Sequence, residues 1–155
     1  ENVCLVFPFT YGGTELYKDE IMQRLEACGI NYVMYTDFLS LNELVALRKS
    51  SDVFIHMQSS DAFSASVQEY LLCDTVVINA AWLRYPTLEI FGKPYIQIDT
   101  FEQLSDTILE ILSGRYPVIS TKLKSEINNN GWNEKAKDWM KFYIEECDPK
   151  LNKRV

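Results

Sequence analysis

An α/β fold built on a parallel sheet is what this sequence predicts, on three observations. Short apolar runs alternate with longer segments whose apolar residues recur at helical spacing, the links between them are short, and the strand-like runs are apolar on both faces. Alternation with short links is the pattern of right-handed β-α-β crossovers, and two-faced apolar strands predict a sheet covered on both faces. The expected architecture is a Rossmann-like three-layer sandwich, with any ligand beyond the carboxyl ends of the strands.

Val3 to Phe7 is the first strand, ended by Pro8, and the turn Tyr11-Gly12-Gly13-Thr14 leads into a helix of about 13 residues. Leu16, Ile21, Met22 and Leu25 share a face of that helix, and Gly29 stops it. Asn31 to Tyr35 is a second strand; Leu39-Ser40 caps a helix with Leu41, Leu44, Val45 and Leu47 on its buried stripe. Asp52 to His56 is the third strand, followed by Ser59-Ser60-Asp61-Ala62-Phe63-Ser64-Ala65-Ser66-Val67-Gln68-Glu69 and a helix running to Cys73. Thr75 to Asn79 is a nearly continuous β-branched strand, and Tyr95 to Ile98 follows Gly92 and Pro94. Phe101 to Leu112 reads as a helix, Ser113 to Pro117 as a break, and a polar segment carrying Asn128-Asn129-Asn130-Gly131 gives way to a helix from Trp132 to Tyr143. Trp132, Ala136, Trp139 and Tyr143 form one stripe of it. Residues 1–118 are expected to form the α/β domain and 119–155 a helical segment packed on it.

The net charge of -7 argues against nucleic acid, whose binders need a clustered Lys/Arg surplus. No apolar run approaches the roughly 20 residues of a membrane span. Cys4, Cys28, Cys73 and Cys147 lie far apart with no Cys-x-x-Cys spacing, as expected of reduced thiols in a cytoplasmic protein. Metal binding is not expected, since His56 is the only histidine and has no cysteine or second histidine near it. The start at Glu1, without Met and shortly before an apolar strand, is expected of a piece of a larger protein.

The segment from Ser59 to Glu69 occupies the place of an α/β ligand site, where a strand ends and a helix opens. Helix N-termini carry unpaired N–H groups and partial positive charge, so Ser64, Ala65 and Ser66 are placed to offer neutral donors to a phosphate. The alternative is local: Ser66-Val67-Gln68-Glu69 matches Ser-x-x-Glu, a capping box that would tie Glu69 to its own helix for about 1 kcal/mol. Gly12 and Gly13 form a second strand-to-helix turn open to close backbone approach, or simply a tight turn. Arg84, after the fourth strand, is the best-placed cation for a diphosphate, or else a surface arginine beside a packed Trp82. His56 is expected to be a hydrogen-bonded structural histidine, or else to act beside the ligand.

From Asp61 to Glu69 the chain resembles the Glu-Gly-Phe-Gly-x-x-x-x-Glu motif of retaining, family-four GT-B glycosyltransferases, in their carboxy-terminal nucleotide-sugar-binding domain. Asp61 stands for the first Glu, and Ala62 and Ser64 for the two glycines. Leu41 to Ala46 with Ser50 to Phe54, Thr75 to Ile78, Gly92-Lys93-Pro94, the helix Phe101 to Leu112 and the helix Trp132 to Tyr143 are similar to successive elements of that domain. The Tyr11-Gly12-Gly13 turn resembles that of bacterial lipid-linked aminofucose transferases, which share the GT-B plan. The resemblance implies that Glu69 accepts ribose hydroxyls, that Asp61 is the catalytic candidate facing the transferred sugar, that Phe63 packs under the loop, and that Ser64 and Ser66 contact the diphosphate. The Thr36-Asp37-Phe38 loop would lie near the base. The family's basic Gly-Arg and Lys segment is absent; either it precedes Glu1, or Arg84 and helix N-termini serve instead.

The resemblance therefore implies the donor domain of a glycosyltransferase. It would take a sugar from a nucleotide diphosphate sugar to a glycan or lipid-linked acceptor in polysaccharide biosynthesis, with no metal and no cofactor beyond that donor substrate. The expected partners are the nucleotide sugar, an amino-terminal acceptor domain outside this sequence, and, for the full-length enzyme, a membrane surface. Two other readings remain open at this point: a non-catalytic Rossmann-like binding or regulatory module, and a sugar epimerase of GT-B fold.

Overall fold

A computed structural model describes residues 3–144; Cys147 and the rest of the segment 145–155 lie outside the described residues. The chain is mixed α/β, and it divides into two compact units, residues 1–47 and 48–155. Among the described residues all strand pairings are parallel, in two small sheets.

In the first unit β1 (Cys4–Pro8) pairs with β2 (Asn31–Tyr35) through α1 (Glu15–Cys28). Thr14 caps α1 by accepting from the Tyr17 N–H at 3.2 Å, and Gly29 ends it at φ 64°, a left-handed turn that glycine adopts without steric cost. At the start of α2 (Leu41–Ser50), Ser40 and Glu43 form a reciprocal cap: the Ser40 N–H donates to Glu43 at 2.7 Å and the Glu43 N–H to the Ser40 hydroxyl at 3.4 Å. The sequence's expectation of a sheet covered on both faces fails here. Along β1 and β2 half-buried residues alternate with exposed ones, leaving Val6 and Val33 open. Two strands and their short helices have too little apolar surface to cover one another.

In the second unit the order is β3-β4-β5, from β3 (Val53–His56), β4 (Val76–Ala80) and β5 (Ile96–Ile98). Every residue of β4 is buried, because the central strand of a parallel sheet meets helices on both sides. On one face Val77 packs with Val67, Tyr70 and Leu71 of α3 (Ala65–Leu72), Leu88 of α4 (Pro86–Glu89), and Leu123 and Ile127 of α6 (Thr121–Asn129). On the other, Val76, Ile78 and Ile98 pack with Ile111 of α5 (Leu104–Leu112). A 3-10 turn at Phe101–Gln103 precedes α5, and α7 (Trp132–Phe142) follows α6.

Two helices depart from the sequence reading. The polar segment before Gly131 contains α6, where Ser120 accepts from the Leu123 N–H at 3.1 Å and Leu123 and Ile127, one turn apart, enter the core. The short α4 opens on Pro86, whose fixed φ suits a first helical turn.

Candidate functional site at the carboxyl ends of β3 and β4

His56 ends β3, and the parallel register sets it beside Asn79 of β4. Both are buried, and His56 Nδ1 lies 2.9 Å from Asn79 Oδ1. The Asn79 amide is fixed from its other end: Nδ2 donates to the Leu83 carbonyl at 2.6 Å and to the Ala80 carbonyl at 3.2 Å. A polar residue survives inside a fully buried strand because each of its hydrogen-bonding groups has a partner.

The loop from Met57 to Ser64 brings Asp61 back over this pair. Asp61 Oδ2 stands 3.3 Å from His56 Nε2, which is buried and without a hydrogen bond of regular geometry. Tyr85, at 1% exposure, presents a second buried hydroxyl without a regular partner, next to Asp61 and Ser64. Burial first, and the Asp61 carboxylate second, push the Tyr85 phenol up to about 12. Phe63 lies edge-on to the Tyr85 ring at 5.8 Å between centroids, and the Trp82 indole N–H donates to the Gln58 carbonyl at 2.8 Å, tying the loop to the segment after β4.

Ser64 is the N-cap of α3, its hydroxyl accepting from the Val67 N–H at 3.2 Å. The capping box between Ser66 and Glu69, the local alternative, is therefore not formed. Ser64 leaves helical geometry first, at ψ 115°, so the helix begins two residues before Ser66 could cap it. Gln68 donates to the Ser64 carbonyl at 3.1 Å. The N–H groups of Ala65 and Ser66 open the helix without an intrahelical acceptor, as the first residues of any helix do.

Glu69 points elsewhere, its Oε2 2.5 Å from Nη2 of Arg48, whose side chain is largely buried while that of Glu69 is half exposed. Arg84 forms a fork with Glu89, Nε donating at 2.9 and 3.1 Å and Nη2 closing the second contact. Tyr95 donates to the same carboxylate at 2.5 Å. Arg84, with the Tyr95 hydrogen bond behind it, holds the Glu89 carboxyl down at about 2, and burial followed by Glu89 pushes the Tyr95 phenol up. The cation expected to be available for a diphosphate is thus engaged by a neighbouring acid.

The structure brings Asp61, Phe63 and Ser64 together around His56, Asn79 and Tyr85, and places Ser66 and Glu69 on the helix that follows. A cleft of ≈ 230 Å³ beside them is lined by Phe63, Gln68, Thr87, Leu88, Ile127 and Lys135, among others. Gly12 and Gly13 belong to the first unit. Both have positive φ, and a Cβ at Gly13 would come within 3.1 Å of the Tyr17 ring, so that turn requires glycine. There the exposed rings of Tyr11 and Phe38 stack at 6.2 Å.

Asn79 and Tyr85 were not singled out from sequence. A polar residue within the run Thr75 to Ala80 was the available signal for the first; nothing local marks the second. Among the described residues no group of three or more His, Cys, Asp or Glu could hold a metal ion, and no helix is long and apolar enough to cross a membrane. Compared with models of known families, with curated proteins and with solved structures, the chain has no match.

Proposed function

We propose that this chain is a Rossmann-like, nucleotide-sugar-binding donor domain of a GT-B glycosyltransferase that works in the cytoplasm and passes a sugar to a glycan or lipid-linked acceptor. One observation carries the reading. The segment from Asp61 to Glu69 that resembles the donor-site motif is a strand-to-helix loop at the carboxyl end of a parallel strand, where α/β folds bind ligands. In this reading the opening N–H groups of α3 and the Ser66 hydroxyl take the diphosphate, Asp61 accepts from a sugar hydroxyl, and the exposed side of Glu69 accepts from the ribose. Leaving-group charge is stabilised by oriented dipoles rather than by a basic cluster.

Calorimetry with UDP, GDP and TDP sugars tests it. Saturable binding by one of them supports the reading, and no binding by any at millimolar concentration, with the fold intact, sinks it. A second reading, a non-catalytic binding module, is favoured by the pairing of Glu69 with Arg48 and of Arg84 with Glu89, since both candidate ligand contacts are engaged within the protein. Glu69→Ala separates the two. In a donor domain nucleotide affinity falls, whereas in a binding module only the melting temperature does, because the largely buried Arg48 loses its partner in either case.

A further inference from the structure

The tautomer of His56 is set by Asn79. Because Asn79 Nδ2 spends its two hydrogens on the Ala80 and Leu83 carbonyls, Oδ1 is the group facing the ring, and an acceptor there requires a hydrogen on Nδ1. In the neutral ring Nε2 then carries only a lone pair, buried and 3.3 Å from a carboxylate oxygen. Two lone pairs at that distance repel. One proton between them makes the contact attractive, whether ring or carboxyl holds it, and the low-dielectric surroundings strengthen it. The polar groups facing this contact are Asn79 from β4, Asp61 from the loop, and the Tyr85 hydroxyl from the start of α4; Phe54 packs against one side of the ring at 5.8 Å.

We propose that His56 is the positioning residue for Asp61. With a proton on either atom, the 3.3 Å contact between Nε2 and Oδ2 holds the loop carboxylate against a ring already locked by Asn79, so that Asp61 meets a sugar hydroxyl in a fixed orientation. The sugar half of this statement rests on the donor-domain reading, and the His56–Asp61 contact does not.

His56 is the chain's sole histidine, so a long-range proton–nitrogen NMR spectrum of the ¹⁵N-labelled protein shows one imidazole. The expected result is a proton-bearing Nδ1, with an Nε2 resonance that moves in Asp61→Asn while Nδ1 stays. A bare Nδ1 with the proton on Nε2, or an Nε2 resonance indifferent to Asp61→Asn, overturns the proposal. Calorimetry then compares UDP, GDP and TDP sugars with the bare nucleoside diphosphates. His56→Gln is expected to weaken the sugar conjugate roughly tenfold and the bare diphosphate less than about twofold. Equal losses, or none, overturn the positioning role. If His56→Gln fails to fold, the response of the Nε2 resonance to Asp61→Asn decides whether the two residues are coupled, and indifference overturns the positioning role. If the unmodified chain binds no nucleotide, the donor-domain reading and the sugar-facing role fall together, and the spectrum alone decides whether His56 and Asp61 are coupled.

Discussion

Ion pairs in this chain differ in how far the protein commits them, and Glu89 is the clearest case. It takes a fork from Arg84 and a hydroxyl from Tyr95, and its carboxyl is held at about 2. A carboxylate whose folded pKa lies below its unfolded value contributes stability that is fully present above the unfolded value, ~4.3, and is lost as pH falls toward about 2. Glu89→Gln is therefore expected to be less stable than the parent at neutral pH, and the gap in urea midpoint should close by about pH 2. A gap that stays constant with pH would mean the carboxylate's charge contributes nothing. At this scale the sequence was only partly legible. Arg84 was visible as a cation, but its partner five residues on was not, because which way a guanidinium turns depends on the Pro86 turn and on Tyr95 arriving from the bend before β5.

Helix starts are governed by which hydroxyl leaves helical geometry first. Ser64 and Ser66 are two residues apart and chemically alike, yet Ser64 alone accepts the Val67 N–H. Ser64→Ala should cost about 1 kcal/mol in a denaturant melt, and Ser66→Ala no more than a few tenths. The reverse order would place the helix start two residues later. Thr14 and Ser40 show how readable such starts are when a turn or a reciprocal acid isolates one candidate. In the run Ser64-Ala65-Ser66 two candidates compete, and spacing alone picks the wrong one. For α6 the difficulty was dilution. Leu123 and Ile127 are its only buried residues, and amid lysines and asparagines two apolar positions are few from which to read an inward face, although their buried contacts with Val77 and α3 decide the outcome. The pairing of His56 with Asn79 was hidden for another reason: strand register is set by the whole sheet, and no local pattern relates residues 23 apart.

Across the molecule the two units differ in how they are held. The second contains all the fully buried side chains among the described residues, with Val67, Leu71, Val77 and Ile78 at 0% exposure, whereas α1 and α2 bury none. Leu71→Ala should cost on the order of 2–5 kcal/mol by urea denaturation, since it opens a cavity in a core with little room to collapse. Native-state hydrogen exchange should show the slowest amides in β4, approaching the global unfolding free energy, and faster exchange throughout β1 and β2. Equal protection in both units would contradict the division. The alternation of strands and helices, and the parallel pairing it demands, was legible from sequence because it needs only periodicity and link length. The uneven covering of the strands was not, because β1 and β4 have similar apolar content and differ in the number of strands and helices around them.

The bond from the Trp82 indole to the Gln58 carbonyl has a practical result. Trp82 is half exposed and stands astride the loop that carries Asp61, while the other two tryptophans, Trp132 and Trp139, sit in α7. Its emission is therefore sensitive to whether that loop is latched, and the part of the fluorescence removed by Trp82→Phe is an optical gauge of loop movement, supplied by the protein without a label.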